Sequence, residues 1–340
     1  MSNNKKVFIV AELSANHMNN KSVIIDTIKA AKNSGADAFK IQTFDLNQMT
    51  LNIRDENYIV KKGLWKGYNH FELYKKIHLP WEWHEFIFEE CHKQDLLCFS
   101  TPFDIKSVKF LEKLNNPIYK IASSEVNHIP LIELVSKLKK PIIFSTGAAL
   151  ENDIRLFIDI ARKNESEDIT VLQCTAKYPA KIEDANLNNM TEIRNNYNVK
   201  VGLSDHTTSN LTSIIATSLG ATVIEKHFKL NNKIDSPDSS FSLTPKAFET
   251  LVEDIRDTER AIKFRVHNEK SLFTARQNLR SLFAIVDIKK GEVFTKKNIS
   301  VMRPNLGIHP KYFERVMGEK APFDISKHTP INEQVLKLIN

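Results

Sequence analysis

Short apolar runs alternate with amphipathic stretches over the first three quarters of the chain. Eight of these runs are rich in β-forming residues, and most intervals between them, such as SVIIDTIKAAKNSG and PLIELVSKLKK, have the apolar spacing of helices. Strands that alternate with helices pair in parallel, and eight such units match a closed (β/α)8 TIM barrel. We therefore predict this barrel over residues 1–263, with a doubly wound open sheet as the alternative. The runs are VFIVAEL (7–13), AFKIQTF (38–44), LCFSTPF (97–103), IYKIASSE (118–125), PIIFSTG (141–147), ITVLQCTA (169–176), KVGLSD (200–205) and ATVIEKHF (221–228).

Each of these runs begins with apolar residues and ends in reactive or hydrogen-bonding side chains. The carboxyl ends of barrel strands meet at one rim, so we expect these side chains to surround one active site. Core packing alone does not explain such residues at eight consecutive strand ends. They are Glu12, Lys40 and Gln42, Ser100 and Thr101, Lys120 with Ser123 and Glu125, Ser145 and Thr146, Cys174 and Thr175, Ser204 with Asp205 and His206, and Glu225 with His227.

The last part of the chain has a different pattern. Residues 264–279 are polar and contain no Gly or Pro, and we expect a linker there. Residues 280–340 carry a faint internal repeat, in which AIVDIKK (284–290) resembles APFDISK (321–327) at an offset of 37 positions. Each copy is typical of a strand, a turn and a short strand, so the repeat predicts a compact pseudo-symmetric β-fold.

Composition and charge restrict the classes of partner. The chain has 48 basic and 41 acidic residues, intermixed along its length, and its net charge of +7 contains no long basic block. Nucleic-acid binding is therefore not favoured, whereas anionic small substrates suit the excess charge. Cys91, Cys98 and Cys174 form no paired motif, which favours a reducing compartment. The N-terminal apolar run breaks at Glu12 and is too short for a membrane span, so we expect a cytoplasmic protein without membrane partners.

Two lysines lie inside predicted strands, Lys40 in FKIQ and Lys120 in YKIAS. Lys40 shares a strand face with Gln42, and a lysine that points into a barrel is costly unless an anion pairs with it. Ammonium groups beside hydroxyl groups would form a phosphate site. A salt bridge to Glu12 and a Schiff-base lysine are the alternatives. The hydroxyl groups are those of Thr101, Ser123, Ser145 and Ser204.

Two histidines stand at the last two strand ends, His206 in SDHT and His227 in EKHF. Two imidazoles at one rim suit a catalytic divalent ion, with water and substrate completing its shell. Glu12 and Glu125 are strand-end carboxylates that could act as general bases or bind sugar hydroxyls, or else pair with the lysines. Asp238, in the loop after the eighth run, is equally typical of turn chemistry.

The strand ends, in this order, resemble those of the sialic acid synthase family. The resemblance covers essentially the whole chain, and within the family it is nearest to the branch that makes pseudaminic acid. The barrel motifs are AELSANH (11–17), KIQT (40–43), STPF (100–103), YKIASSE (119–125), STG (145–147), CTAKYP (174–179), GLSDHT (202–207), IEKHF (224–228) and SPDSSFSL (236–243). The segments SLFAIVDIKKGEVF (281–294) and MRPNLGIHP (302–310) resemble the antifreeze-like SAF domain of these synthases.

This resemblance implies a reaction. Phosphoenolpyruvate would condense with 2,4-diacetamido-2,4,6-trideoxy-L-altrose and water to give pseudaminic acid and phosphate, with C–O cleavage. A divalent ion, typically Mn2+ with Mg2+ or Co2+ as alternatives, would be held by His206 and His227. Neuraminate or legionaminate precursors are alternative substrates. A Schiff-base aldolase, and a module that binds ice or carbohydrate without catalysis, are alternatives of other classes.

The resemblance also implies roles for individual residues. The family's phosphate ligands correspond to Lys40, Thr101, Lys120, Ser123, Ser145 and Ser204. Its sugar or water contacts correspond to Glu12, Gln42, Glu125, Tyr178 and Asp238. Arg303 would reach the sugar's N-acetyl group in the partner's barrel, across a domain-swapped homodimer.

Two further expectations concern the rim of the pocket. Many neuraminate synthases have an Asn at the position of Ala176, so this chain lacks one amide contact expected near the phosphate. The long interval 45–96 predicts a lid over the rim. A 6-deoxy sugar needs apolar surface, for which the lid offers Leu64, Trp65, Tyr68 and Phe71.

Overall fold

Eight parallel strands close into a barrel in the first part of the protein. The computed structural model describes residues 6–263 and 269–339. The strands pair in chain order and the eighth pairs with the first, so the ring is complete. The predicted closed barrel is thereby confirmed, and the open sheet is excluded. The strands are β1 Phe8–Glu12, β2 Ala38–Thr43, β3 Leu97–Pro102, β4 Tyr119–Ile121, β5 Ile142–Ser145, β6 Ile169–Cys174, β7 Lys200–Asp205 and β8 Val223–His227.

Helices cover the outside of this barrel. Ile24, Ile28 and Ala31 recur at helical spacing in the first helix, and they share one apolar core with Phe39 and Ile41, which face outward from β2. None of the described helices is long and apolar enough to cross a membrane. The helices are α1 Lys21–Asn33, α2 Leu46–Met49, α3 His70–Ile77, α4 His84–Lys93, α5 Ile105–Lys113, α6 Ile129–Lys137, α7 Glu151–Lys163, α8 Asn188–Tyr197, α9 Leu211–Ser218 and α10 Pro245–Ile262.

The barrel interior changes from apolar to polar along its axis. An apolar layer inside the barrel is formed by Val10, Ala38, Phe99, Ile143, Leu172 and Val223. Side chains in a strand return to the same face every second residue. Two positions further along the same strands stand Glu12, Lys40, Thr101, Ser145, Cys174 and Glu225, which line a cavity. The apolar layer therefore lies beneath the polar side chains that line the cavity.

A second compact unit follows the barrel. The chain divides into Met1–Lys263 and Phe264–Asn340, and each unit has its own buried apolar cluster. The second unit contains an antiparallel pair of strands, β9 Ser281–Ala284 and β10 Ile299–Met302. Its helices are α11 Glu269–Gln277, α12 Phe313–Val316 and α13 Glu333–Leu338.

The segment expected to be a linker, 264–279, contains a helix. Residues 264–268 lie outside the described residues, and α11 occupies Glu269–Gln277. The run EKSLFTARQ contains good helix formers and no Gly or Pro, so a helix is the conformation that its composition favours. The segment has neither of the two residues that most disfavour a helix interior.

The internal repeat of the second unit appears as reciprocal backbone pairing. Ile288 and Ile325, equivalent at the offset of 37, bond to each other through both N–H···O contacts at 2.8 Å. The N–H of Gly291 donates to Ala321 and that of His328 donates to Ala284, each at 2.8 Å. Exchanging the two copies exchanges these contacts, so the copies are related by an approximate twofold axis. The predicted pseudo-symmetry is confirmed.

The side chains of the repeat follow the same symmetry. Oδ1 of Asp324 accepts a hydrogen bond from the backbone N–H of Lys290 at 2.8 Å. Oδ1 of the equivalent Asp287 accepts from the N–H of Lys327 at 2.7 Å. Each aspartate therefore binds the backbone of the other copy, and the two contacts are equivalent.

Candidate active site

A cavity of about 370 Å³ opens at the carboxyl ends of the barrel strands. Every one of the eight strands, or the residue that follows it, contributes a side chain to its wall. Twelve of the predicted site residues line it: Glu12, Lys40, Gln42, Thr101, Lys120, Ser123, Ser145, Tyr178, Ser204, His206, His227 and Asp238. The parallel register brings together residues that are more than 200 positions apart in the chain.

Four buried charges of alternating sign form the floor of the cavity. Nζ of Lys40 lies 2.6 Å from Oε2 of Glu12 and 3.8 Å from Oε2 of Glu225. Nζ of Lys120 lies 2.9 Å from Oε1 of Glu225 and 3.2 Å from Oε2. The salt bridge from Lys40 to Glu12, one of the alternatives expected from the sequence, is therefore present. Glu225 is not among the predicted site residues, although it stands two residues before His227 on the same strand face.

Burial and mutual attraction set the protonation of these groups. Burial raises the pKa of Glu12. Burial also pushes the pKa of Glu225 upward, but Lys120 and Lys40 outweigh it and hold the pKa at about 2. Burial acts to lower the pKa of Lys40, but Glu12 and Glu225 outweigh it, and the pKa is raised. Lys40 is therefore a protonated cation, which suits anion binding and opposes Schiff-base chemistry.

Hydroxyl groups lie beside these four charges. Oγ1 of Thr101 accepts from Lys40 at 3.1 Å, and Oγ of Ser204 donates to Glu225 at 3.1 Å. Oγ of Ser145 is buried and has no hydrogen-bond partner among the described residues. An unpaired buried hydroxyl in a cavity wall is available to a ligand oxygen.

Gly147 keeps a small space open beside these hydroxyl groups. A Cβ at Gly147 would lie 3.0 Å from Sγ of Cys174 and 3.1 Å from both Oγ of Ser123 and the backbone nitrogen of Ala176. A side chain here would crowd these polar atoms. Although Ala176 lacks the amide side chain of many neuraminate synthases, its backbone nitrogen lies at the edge of this space.

The two histidines stand next to each other with neutral imidazole rings. Their ring centroids are 5.3 Å apart. Nδ1 of His206 lies 2.9 Å from the backbone oxygen of Thr175. A carbonyl can only accept, so Nδ1 carries the proton and Nε2 has a free lone pair. Burial lowers the pKa of His206 to about 4 and that of His227 well below its ordinary value.

This donor set fits a divalent ion. Nδ1 of His227 is buried without a hydrogen-bond partner among the described residues, and His206 is oriented by a backbone carbonyl, as metal-binding imidazoles usually are. Across residues 6–263 and 269–339 no group of three or more His, Cys, Asp or Glu side chains converges on one metal position. Two imidazoles would therefore be the protein's contribution, with the other positions left to water and substrate.

Polar side chains above the floor form a second wall. Nε2 of Gln42 donates to Oε1 of Glu12 at 2.9 Å and to Oγ of Ser14 at 3.0 Å. Oγ of Ser14 donates to Oδ2 of Asp238 at 2.5 Å, and burial raises the pKa of that carboxyl. Oδ2 of Asp238 is 3.9 Å from Nδ1 of His227. The loop after β8 is thus tied to the loop after β1 beside the histidines.

An apolar lid borders the cavity beside the loop after β8. Nε1 of Trp65 donates to the backbone oxygen of Pro237 at 3.1 Å, and its ring lies 5.1 Å from that of Tyr178. Tyr178 in turn lies 4.3 Å from the ring of His206. The other apolar and aromatic lining residues are Phe44, Met49, Val60, Leu73, Tyr74, Ile77 and Phe103.

The prediction of the lid's wall residues is correct for Trp65 and wrong for the other three. Leu64 and Tyr68 are 45% and 41% exposed, and Phe71 does not line the cavity. For Phe71 the reason is α3, which begins at His70 after the N-cap Asn69. Helical spacing turns Leu73, Tyr74 and Ile77 toward the cavity in their place.

One predicted site residue of the barrel does not line this cavity. Glu125 is in the 3-10 turn Ser123–Glu125, and its carboxylate accepts from Oγ of Ser124 at 2.9 Å. Because β4 ends at Ile121, period-two alternation no longer applies, and the turn directs Ser123 and Ser124, but not Glu125, to the cavity. Arg303 is an exposed residue of the second unit.

Comparison with known proteins places these features among carbohydrate-synthesising enzymes. The model of the NeuB family matches residues 27–267, and that of the SAF domain matches residues 280–335. The pseudaminic acid synthase of Campylobacter jejuni is 43% identical over 94% of each chain, and that of Helicobacter pylori is 44% identical over 95% of this chain and 96% of the relative. The N,N'-diacetyllegionaminic acid synthase of Campylobacter jejuni is 33% identical over 97% of this chain and its own full length.

Proposed function

The chain belongs to the NeuB family and carries a SAF domain, and on that premise we propose that it forms pseudaminic acid. The substrates are phosphoenolpyruvate, 2,4-diacetamido-2,4,6-trideoxy-L-altrose and water, and phosphate is the second product. The observation that carries this assignment is the identity of 43–44% to pseudaminic acid synthases over nearly the whole chain. The lower identity of 33% to a legionaminic acid synthase disfavours the alternative sugar.

The charged floor supports the choice of phosphoenolpyruvate. Lys40 and Lys120 offer two buried ammonium groups, and Ser145, Ser123 and the N–H of Ala176 offer nearby donors. Phosphate and carboxylate oxygens are strong acceptors for such donors. Glu12 and Glu225 neutralise the lysines in the substrate-free protein, so the floor does not hold an uncompensated positive charge before phosphoenolpyruvate arrives.

The histidine pair supports a divalent ion, Mn2+ first and Mg2+ or Co2+ as alternatives. His206 and His227 would hold it through neutral imidazole nitrogens. When bound, such an ion supplies Lewis acidity that polarises the carbonyl oxygen of the open-chain sugar. Tyr178, whose ring packs at a tilt against His206, and Trp65 on the lid would close this end of the cavity against bulk water.

The remaining side chains suggest how protons move. C3 of phosphoenolpyruvate forms a carbon–carbon bond to the aldehyde carbon of the sugar, whose oxygen gains a proton. Water adds to C2 and loses a proton, and the C2–O bond to phosphate then breaks. Glu12 is the carboxylate suited to accept the water proton, because burial raises its pKa and Gln42 holds one of its oxygens.

The test combines product identification with an isotope label. The purified enzyme is given phosphoenolpyruvate with the diacetamido-altrose, with the legionaminate precursor, or with N-acetylmannosamine, in water enriched in oxygen-18. We expect efficient turnover of the diacetamido-altrose alone, and unlabelled phosphate, because the bridging oxygen leaves with phosphorus. Labelled phosphate would refute C–O cleavage, and equal turnover of the three sugars would refute the substrate choice.

The Schiff-base alternative is tested by trapping. Borohydride with either substrate should leave the mass of the protein unchanged, because the raised pKa of Lys40 keeps its amine protonated. EDTA treatment should abolish turnover, and added Mn2+ should restore it. A reduced adduct on Lys40 or Lys120, or full activity in EDTA, would favour an aldolase.

A further inference from the structure

A buried ion pair lies directly behind the two histidines, on the outer face of the barrel wall. Asp205 ends β7 and precedes His206, while Lys226 precedes His227 in β8. Successive strand residues point to opposite faces. The histidines line the cavity, whereas Asp205 and Lys226 do not. Each member of the pair is therefore the immediate chain neighbour of one imidazole.

The pair joins the two strands at the level of the histidines. Nζ of Lys226 lies 2.7 Å from Oδ2 of Asp205, and their side chains are 0% and 1% exposed. The two residues are also opposite each other in the parallel ladder between β7 and β8. The ion pair therefore sets how the end of one strand lies beside the end of the other.

The same two side chains hold the turn that carries His206. Oδ1 of Asp205 accepts from the backbone N–H of Thr207 at 2.9 Å. Nζ of Lys226 donates to the backbone oxygen of Ser209 at 3.0 Å. The backbone just after His206 is thereby bonded to both members of the pair.

Helix α9 completes the support from outside. Oγ1 of Thr212 and Oγ of Ser213 donate to Oδ2 of Asp205 at 2.7 Å and 2.9 Å. The carboxylate thus accepts bonds from a strand, a turn and a helix, which leaves it one well-defined orientation.

We propose that the Asp205–Lys226 pair is a positioning device that fixes the two imidazoles relative to each other and so sets the affinity of the chain for its divalent ion. This inference rests on the proposed metal site at His206 and His227. Desolvation offsets much of the attraction in a buried ion pair, so stability alone gives little reason for one here. Support of metal-binding imidazoles by neighbouring hydrogen bonds is, by contrast, a known determinant of metal affinity.

The test measures the affinity of the metal-free protein for MnCl2 alone, from the electron paramagnetic resonance signal of free Mn2+. The double variant Asp205→Asn with Lys226→Met removes both charges, because a single change would leave one buried and unpaired. We expect the dissociation constant to rise about tenfold or more. The comparison is with the unaltered chain at the same pH and salt concentration.

A matched control removes an ion pair at the other end of the barrel. Nη2 of Arg256 lies 2.8 Å from Oδ2 of Asp37, which precedes β2 and lies far along the chain from both histidines. The double variant Asp37→Asn with Arg256→Met should bind Mn2+ with unchanged affinity. If it loses affinity as much as the Asp205/Lys226 variant does, the effect is general loosening and the positioning role is refuted.

His206→Ala separates failure of this inference from failure of the metal site. If His206→Ala weakens Mn2+ binding while the Asp205/Lys226 variant binds normally, the positioning role is wrong and the metal site stands. If His206→Ala binds normally, the metal site and the inference fall together. Should the double variant not fold, Thr212→Val with Ser213→Ala decides: a rise of about threefold or more supports the role, and an unchanged constant overturns it.

Discussion

Glu225 binds two lysines with one carboxylate, and Glu125, four residues beyond β4, binds neither. Period-two alternation contained the signal for Glu225, since it shares a strand face with His227. The sequence could not show whether the lysines meet a substrate or a carboxylate, because that depends on the register between distant strands. Glu125 was misplaced because alternation stops where the strand stops. Strand-end residues are thus predictable as long as the strand continues.

We expect Lys40→Met to impair phosphoenolpyruvate binding selectively. Loss of a charged hydrogen-bond donor costs about 1.5–3 kcal/mol, which is a rise in KM of about tenfold or more. The KM for the sugar should change little, and Lys120→Met should behave alike. Steady-state kinetics with each substrate varied in turn give the answer. Lys32→Met is the control: it removes a lysine that pairs with Asp95 at the surface, and it should leave both KM values unchanged. A change confined to the sugar would contradict the assignment.

The raised pKa of Glu12 predicts how activity depends on pH. A general base must be ionised, so kcat should be full above the pKa of Glu12 and lost as the pH falls through it. Because burial raises this pKa, the loss should occur at a higher pH than for an ordinary glutamate. Glu12→Gln should lower kcat by about a hundredfold and remove this acid limb from the pH profile at saturating Mn2+.

Glu125→Gln is the matched control for that profile. Burial also raises the pKa of Glu125, yet this carboxyl does not line the cavity. The Glu125→Gln profile should therefore keep the acid limb of the unaltered enzyme. Loss of the limb in this variant instead would transfer the base role to Glu125.

Among secondary-structure elements, the eight barrel strands were predictable, whereas short helices such as α3 and α11 were not. Every strand run is apolar at its start and polar at its end, so eight runs gave both the barrel and its active rim. Helix α3 was read as lid loop although Asn69 is a good N-cap and its side chain accepts from Phe71 and Glu72. Helix α11 lies within the segment expected to be a linker, where no helix was predicted. Both are short and lie in polar surroundings, where intrinsic propensity is a weak signal beside tertiary packing.

Substitution of the lid tryptophan should weaken sugar binding selectively. Trp65→Ala removes the ring against Tyr178 and the hydrogen bond to Pro237. We expect the KM for the diacetamido sugar to rise about tenfold, and the preference over N-acetylmannosamine to fall, as apolar wall is lost. The KM for phosphoenolpyruvate should stay within about twofold.

Tyr68→Ala serves as the control for the lid. Tyr68 lies on the same segment but is 41% exposed and outside the cavity wall. Its removal should leave sugar kinetics and the melting temperature close to those of the unaltered enzyme. If Tyr68→Ala and Trp65→Ala had the same effect, the lid would act by its general flexibility and not through the tryptophan wall.

At the scale of the whole molecule, the sequence predicted two units but not how copies of the chain assemble. The count of eight runs predicted a closed barrel, and the repeat at an offset of 37 predicted internal symmetry in the second unit. Whether Arg303 reaches an active site, and in which copy of the chain, depends on contacts between folded surfaces. No local pattern of apolar and polar positions encodes such contacts.

The proposed domain-swapped homodimer predicts complementation between two inactive chains. We expect His206→Ala and Arg303→Ala each to abolish most activity. If Arg303 acts in the partner's barrel, a mixed dimer contains one site with both groups intact, and subunit exchange should restore up to about half of the activity per mixed dimer. Activity is followed as phosphate release during mixing, with light scattering to establish the dimer. No recovery, or a monomer, would refute an arginine that acts in trans.

The approximate twofold axis of the second unit has a consequence for its turns. Two short segments that exchange equivalent backbone bonds have the geometry of an isologous dimer, here formed within one chain. The two equivalent turn positions hold different residues: Gly291 adopts a left-handed φ of 85°, and its counterpart His328 adopts 67°. Glycine has no Cβ to oppose this conformation, so glycine at position 328 would make the two turns alike and would relieve the backbone strain that one of them holds.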